Sequence, residues 1–205
     1  QSSQRTTLSA AEQTDPDNTL YWQQNLPRLE AEVIRDSILV VSGRLDRTVG
    51  GPPVALKSIP NGMSTADQPR RSIYVFARRN YPLKILETFD TAISPVNTTQ
   101  RMNTTSVLQS LTLLNSPLLV ACAAQAATQL EAATGPNQSE QVKRCYLQIL
   151  ARPPTSAEQQ ACIAFLASQA TSYREQSLTP EKAHHQSLAD LCQMLMCSND
   201  FLHRP

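Results

Sequence analysis

The sequence predicts a mainly α protein: an irregular helical bundle with a long Pro/Gly-rich loop and at most a short extended segment. Three observations lead there. Beyond residue 100, apolar side chains recur at three- and four-residue spacing, the period of one helix face. Helix-start signals precede those runs, as in Ser116-Pro117, Thr155 and Thr179-Pro180. Between Arg44 and Pro69 the chain carries four of its 14 prolines and three of its five glycines, a density that no helix survives.

Residues 1–20 are polar, with "TDPDN" as a turn signal. The opening "QSSQRTTLSA" lacks an initiator Met and a basic-then-apolar leader. It reads as a processed product or an excerpt, so 1–20 is expected to be an arm cut from a longer domain. Residues 21–205 are expected to form a single mainly helical domain. "LPRLEAEVIRDSILVVSG" predicts the first helix, with Pro27 in its first turn, Ile34, Ile38 and Val41 inward, and Gly43 as C-terminal cap. The loop from Arg44 follows. In "RSIYVFA", Ile73, Val75 and Ala77 would share one strand face and Tyr74 and Phe76 the other, which predicts a segment buried on both sides.

"NTTSVLQSLTLLN" puts Val107, Leu108, Leu111 and Leu114 on one stripe, expected to face the core, with Asn103 or Thr104 as N-cap. Ser116-Pro117 starts the next helix, which runs to Thr134. Val142, Cys145, Tyr146 and Ile149 mark another, ended by "RPP". Thr155 and Glu158 have capping-box spacing and open a helix carrying Cys162, Phe165 and Leu166. Thr179-Pro180-Glu181 opens the last, with Leu188, Leu191, Cys192 and Leu195 inward.

A net charge of +1 gives no global pull toward nucleic acid or an anionic membrane. No apolar run approaches the ~20 residues of a membrane helix. Neither nucleic acid nor a membrane span is therefore expected. Five cysteines (Cys122, Cys145, Cys162, Cys192, Cys197) are an odd number, without a CxxCH haem-attachment motif. Each sits in an apolar helical setting, which predicts buried free thiols, one disulfide being the alternative.

The charged region from Arg70 to Arg101 is the candidate site. Arg70, Arg71, Arg78, Arg79, Lys84 and Arg101 face only Glu87 and Asp90. Guanidinium forks bind carboxylate, sulfate or phosphate, so Arg70, Arg71, Arg78, Arg79 and Arg101 are candidates for an anion- or glycan-binding face. The alternative is internal pairing, with Glu87 and Asp90 as partners that pin loop to bundle. Catalytic groups are sparse: GxSxG, HExxH and phosphate-cradling Gly-rich loops are all lacking. Glu87 and Asp90, one turn apart, fit a cap or salt bridge better than the carboxylate pair of glycoside hydrolysis. His184 and His185 are adjacent, not at the i, i+4 spacing of helix-borne metal ligands, and are expected to be a solvated pair. Asn97-Thr98-Thr99, Asn103-Thr104-Thr105 and Asn137-Gln138-Ser139 match a glycosylation sequon, a weak pattern in a Thr-rich chain. Neither a catalytic nor a metal site is predicted.

Five blocks occur here in fixed order: "RLEAEVIRDSILVVSGRLDRTVGGPPV", "RSIYVFARRNYPLKILETFD", "NTTSVLQSLTLLNSPLLVACA", "YLQILARPPTSAEQQACIAFL" and "LADLCQMLMCSNDFL". Together they resemble the C-terminal domain of unknown function of planctomycete cytochrome-associated exported proteins, the PSD1 type. Cys197 departs from that pattern, which usually has Asn there. The resemblance implies a periplasmic or cell-envelope setting, with haem carried by an upstream module and no cofactor in this segment. It implies a non-catalytic scaffold or interaction domain, whose partners are upstream modules of the same polypeptide or a partner envelope protein. The alternative expectation is a module that binds or degrades extracellular polysaccharide through the arginine-rich face.

Overall fold

The computed structural model describes residues 14–22, 27–58, 64–66, 68–77, 82–91 and 104–203. Over these the protein is mainly α. At residues 14–22 the predicted turn is present: the buried Asp15 carboxylate accepts from the amides of Thr19 and Leu20 at 2.9 and 2.7 Å, an aspartate competing for local backbone donors.

Helix α1, Ala31–Val41, starts later than the sequence suggests. Pro27 is not in its first turn, because the chain beside it is paired elsewhere. Arg28 lies opposite His203 in an antiparallel bridge, and the Leu29 amide donates to the Leu202 carbonyl at 2.7 Å. Ile34, Ile38 and Leu39 are buried on the inner face of α1, together with Arg35. Gly43 follows with φ +67°, and a Cβ there would collide with the Gln129 side-chain amide. That close approach serves the helix end. Gln129 donates to the Ser42 carbonyl at 3.2 Å and Gln148 to that of Val41, filling acceptors that a helix C-terminus leaves open.

The loop beyond residue 43 is laced by short extended pairings. β1 (Leu56–Ser58) and β2 (Ser64–Ala66) form an antiparallel pair with Leu56 opposite Ala66. Parallel bridges join Asp46 to Arg70 and Val54 to Val75. Ser72–Tyr74 is one 3₁₀ turn instead of a strand, and this corrects the expectation of burial on both faces. The turn directs Ile73 to solvent and leaves Phe76 46% exposed, while Val75 packs on the core. Helix α2, Lys84–Thr88, then buries Ile85, flanked by Leu83 and Phe89.

The helical half follows the sequence closely. Its elements are α3 (Val107–Leu114), α4 (Pro117–Thr134), α5 (Gln138–Leu150), α6 (Ser156–Glu175), α7 (Pro180–Met196) and α8 (Asn199–Leu202). Ser116, Asn137, Thr155 and Thr179 each accept an amide of the first turn that follows. Asn137 of the sequon is thus a helix cap. At α6 the box is reciprocal: Thr155 Oγ1 accepts from the Glu158 amide at 3.3 Å, and Glu158 Oε2 from the Thr155 amide at 2.7 Å. Arg152 ties the same Glu158 to Asp200 of α8. α7 is the central helix, packed on α4 and α6. Leu188, Leu191, Cys192 and Leu195 point inward as expected, against Leu119, Cys122, Val142, Cys145 and Leu166.

Candidate functional site

The arginine-rich segment is a structural knot built from two guanidinium groups. Arg70 is buried (7% exposed) beneath the tip of the preceding loop. Its Nη1 donates to the Pro52 carbonyl at 3.0 Å and its Nη2 to that of Thr48 at 3.1 Å and to that of Gly50. Gly50 and Gly51 have φ of +78° and +83°, a backbone that turns those carbonyls inward and that glycine adopts without strain. Arg70 also stacks on the Tyr74 ring, 4.2 Å from its centroid. The Tyr74 hydroxyl in turn accepts from the Gly50 amide at 3.1 Å. The fork that would meet an external anion is filled by the chain's own carbonyls.

Arg35, on α1, holds the other side of this segment. It is 1% exposed and donates to the Arg70 carbonyl at 2.8 Å and to Ser72 Oγ at 3.2 Å. Asp36 accepts from the Ser72 amide and hydroxyl at 2.8 and 2.7 Å. Burial pulls the Arg35 guanidinium below its ordinary value, and the Asp36 carboxylate opposes that shift. The sequence reading missed Arg35 because it occupies an ordinary-looking position in a helix.

A second knot uses Asp90, whose partner is none of the arginines singled out in the sequence. Arg28 Nη2 lies 2.8 Å from Asp90 Oδ2 and donates to the Phe89 carbonyl at 3.2 Å, while Nη1 reaches the Thr104 carbonyl. The Thr104 amide and hydroxyl donate to Asp90 at 2.8 and 2.9 Å. Desolvation works to raise the Asp90 pKa, but the bonds from Arg28 and Thr104 outweigh it and hold the carboxyl below its usual range. Glu87 is exposed and does not join this knot. Arg71 is exposed too, and Arg78, Arg79 and Arg101 lie outside the described residues. No anion site is therefore assembled among the described residues of the predicted set. Metal ligands fare likewise: no group of three or more His, Cys, Asp or Glu side chains able to hold an ion occurs among the described residues. The expected solvated pair is only half so: His184 and His185 are both half-buried, His185 Nδ1 meets Glu131 Oε2 at 2.9 Å, and His184 Nε2 is shielded.

The feature that remains is apolar. The expected inward stripe of α3 faces outward: Val107 is 76% and Leu108 68% exposed, with Leu111 and Leu114 about half exposed. The buried residues of this helix are Gln109 and Leu113. Gln109 fixes that rotation. Its Nε2 donates to the carbonyls of Thr88 and Thr104 at 3.1 and 3.0 Å, and its Oε1 accepts from the Ser106 amide at 3.3 Å. The cap is thus at Ser106, not at Asn103 or Thr104. Four apolar residues define a stripe, but one buried glutamine with three backbone partners decides which way it turns. The chain from Met102 to Leu130 carries no charged side chain, so this face is also uncharged. Among the described residues no single helix is long and apolar enough to cross a membrane; α3 and α4 meet at a 53° bend.

No curated protein and no solved structure matches the chain. The family model described as "PSD1: Protein of unknown function (DUF1553)" matches residues 1–166, ending inside α6 and leaving α7 and α8 beyond the match. The match spans both knots and the outward face of α3, and the chain belongs to the PSD1 family of proteins of unknown function (DUF1553).

Proposed function

We propose that this chain is a non-catalytic interaction module, and that the apolar face of α3 is the surface on which an upstream module of the same polypeptide docks. The observation that carries the reading is an uncharged face of Val107, Leu108, Leu111 and Leu114 turned to solvent by Gln109. Isolated exposed apolar side chains are ordinary; a contiguous row of them is the mark of a contact surface. The choice of occupant rests on where the chain enters. Arg28 donates to the Thr104 carbonyl, two residues before the Ser106 cap of α3. Arg28 is thus tied beside the start of this face, and a module upstream in the same polypeptide would meet it at high effective concentration. An uncharged surface fits an apolar protein partner better than an anionic polymer. By the family resemblance, the proposed setting is an exported, cytochrome-associated protein of the cell envelope, with any haem held upstream.

The test is a photo-crosslinking residue placed at Leu111 in the full-length polypeptide. Crosslinks to residues upstream of this chain are expected, and a Leu108→Asp substitution should abolish them without changing the melting temperature. Crosslinks only to a separate protein, or flotation with lipid vesicles, would replace the proposed occupant. Saturable, salt-sensitive binding to sulfated or uronic polymers, undisturbed by Leu108→Asp, would overturn the reading in favour of a polysaccharide module.

A further inference from the structure

All five thiols are free in the structure, four of them buried and Cys197 half-buried. Two of these thiols face each other. Cys145 Sγ on α5 and Cys192 Sγ on α7 lie 3.6 Å apart, each wholly shielded from solvent. The other three have different neighbours: Cys122 meets the Arg44 guanidinium at 3.9 Å, and Cys162 meets the Tyr146 hydroxyl at 3.7 Å. Cys197 has no thiol neighbour of this kind, so one pair and three single thiols account for the five.

We propose that Cys145 and Cys192 are a disulfide-forming pair, a covalent clasp between α5 and α7. A disulfide needs its sulfurs near 2.05 Å, so the existing contact must shorten by about 1.5 Å, a shift within reach of side-chain torsions and small helix displacements. The bond would fasten the central helix α7 directly to α5. Burial would also shield the bond from reductants in the folded state.

The chemistry is a two-electron thiol–disulfide exchange. The thiolate of one cysteine attacks a disulfide supplied by an exchange catalyst or by oxidised glutathione, forming a mixed disulfide and releasing one thiol. The second thiolate attacks the protein sulfur of that mixed disulfide and releases the other thiol. Two hydrogens leave the protein, and one external disulfide is reduced to two thiols. In the closed core the contact with Cys192 and burial hold the Cys145 thiol well above its usual pKa. The exchange therefore belongs to folding, before α7 seats. This inference is independent of the docking reading.

The test refolds the reduced, denatured chain in a glutathione redox buffer, alkylates the remaining thiols and maps unreduced peptides by mass. A Cys145–Cys192 crosslinked peptide is expected, together with three alkylated cysteines and a protein mass lower by two hydrogens. Five alkylated cysteines, or a bridge using Cys122, Cys162 or Cys197, would overturn the proposal. Cys197→Ala should keep the oxidised species and Cys192→Ala should lose it; its survival in Cys192→Ala would also overturn it. The wild-type map needs no variant to fold. In a further arm, dithiothreitol should open the bond only when denaturant is present, and equal rates with and without denaturant would refute a buried clasp.

Discussion

Replacing Arg70 by Met keeps most of the side-chain stem and removes only the guanidinium. Three carbonyls, those of Thr48, Gly50 and Pro52, then lose a charged donor, and the Tyr74 ring loses its stacked cation. A hydrogen bond to a charged group contributes about 1.5–3 kcal/mol and a surface cation–π contact about 0.5–1 kcal/mol. The full sum is not lost, because Thr48, Gly50 and Pro52 are exposed and their carbonyls can rehydrate. The expected net loss is about 2–4 kcal/mol, read in urea as a midpoint lower by about 1–2 M at nearly unchanged slope. Hydrogen exchange locates the damage. The amides of Gly50, Val54 and Phe76, bonded respectively to the Tyr74 hydroxyl, the Tyr74 carbonyl and the Val54 carbonyl, should exchange faster, while α4 and α7 keep their protection. Arg71→Met, at an exposed site, should stay within about 0.5 kcal/mol of the parent. If Arg70→Met melts like the parent with unchanged exchange at those amides, the guanidinium does not hold the loop and the structural account of this segment fails.

Truncating Phe76 to Ala should destabilise by only about 1–2 kcal/mol, below the range for a fully buried aromatic, because nearly half of the ring is already in water; urea melts give the value. On α3, Leu113→Ala should lower stability by about 2–5 kcal/mol while Val107→Asp, at a residue 76% exposed, leaves it within about 0.5 kcal/mol, the reverse of what an inward stripe would give. Glu158 has its pKa lowered from 4.5 to about 2, chiefly by its bond to Arg152. Its contribution is therefore complete above pH 4.5 and lost as pH falls toward 2; with both side chains about a third exposed, it amounts to less than about 1 kcal/mol. Glu158→Gln should flatten the acid limb of a stability-versus-pH curve by that amount. The oxidised clasp closes a 47-residue separation, so the oxidised protein should unfold about 4 kcal/mol above the reduced one by the loop-entropy relation, as compared in paired denaturant melts.

The helical half was legible because its signals are local. Ser116-Pro117, Thr155 with Glu158, and Thr179-Pro180 each declare a helix start within four residues, and the inward sets of α5 and α7 follow from spacing alone. The 3₁₀ turn at Ser72–Tyr74 was not legible, since alternation of apolar residues there imitates a strand and only the bridge of Val75 to Val54 decides the matter. The long-range contacts of the guanidinium groups fail for a different reason. Arg28 and Asp90 are 62 residues apart, and Arg35 reaches the Arg70 carbonyl across 35, distances over which one sequence carries no pairing information. Gln109 is the most instructive miss. Periodicity locates an apolar stripe but is silent on whether the stripe or its opposite face meets the core, and a polar residue with three backbone partners reversed the expected answer.

The antiparallel bridge between Arg28 and His203 has a mechanical consequence. Tension applied through residues 28 and 203 would bear first on this bridge, where the Leu29 amide meets the Leu202 carbonyl, and would peel the strands apart without stretching the helices. The bridge is thus a short path in parallel with the bundle, and while it holds, the core of α4, α6 and α7 is shielded from that load. A pull between residues 28 and 203 would therefore pass through a short path at one edge, and reach the helices only after the bridge has opened.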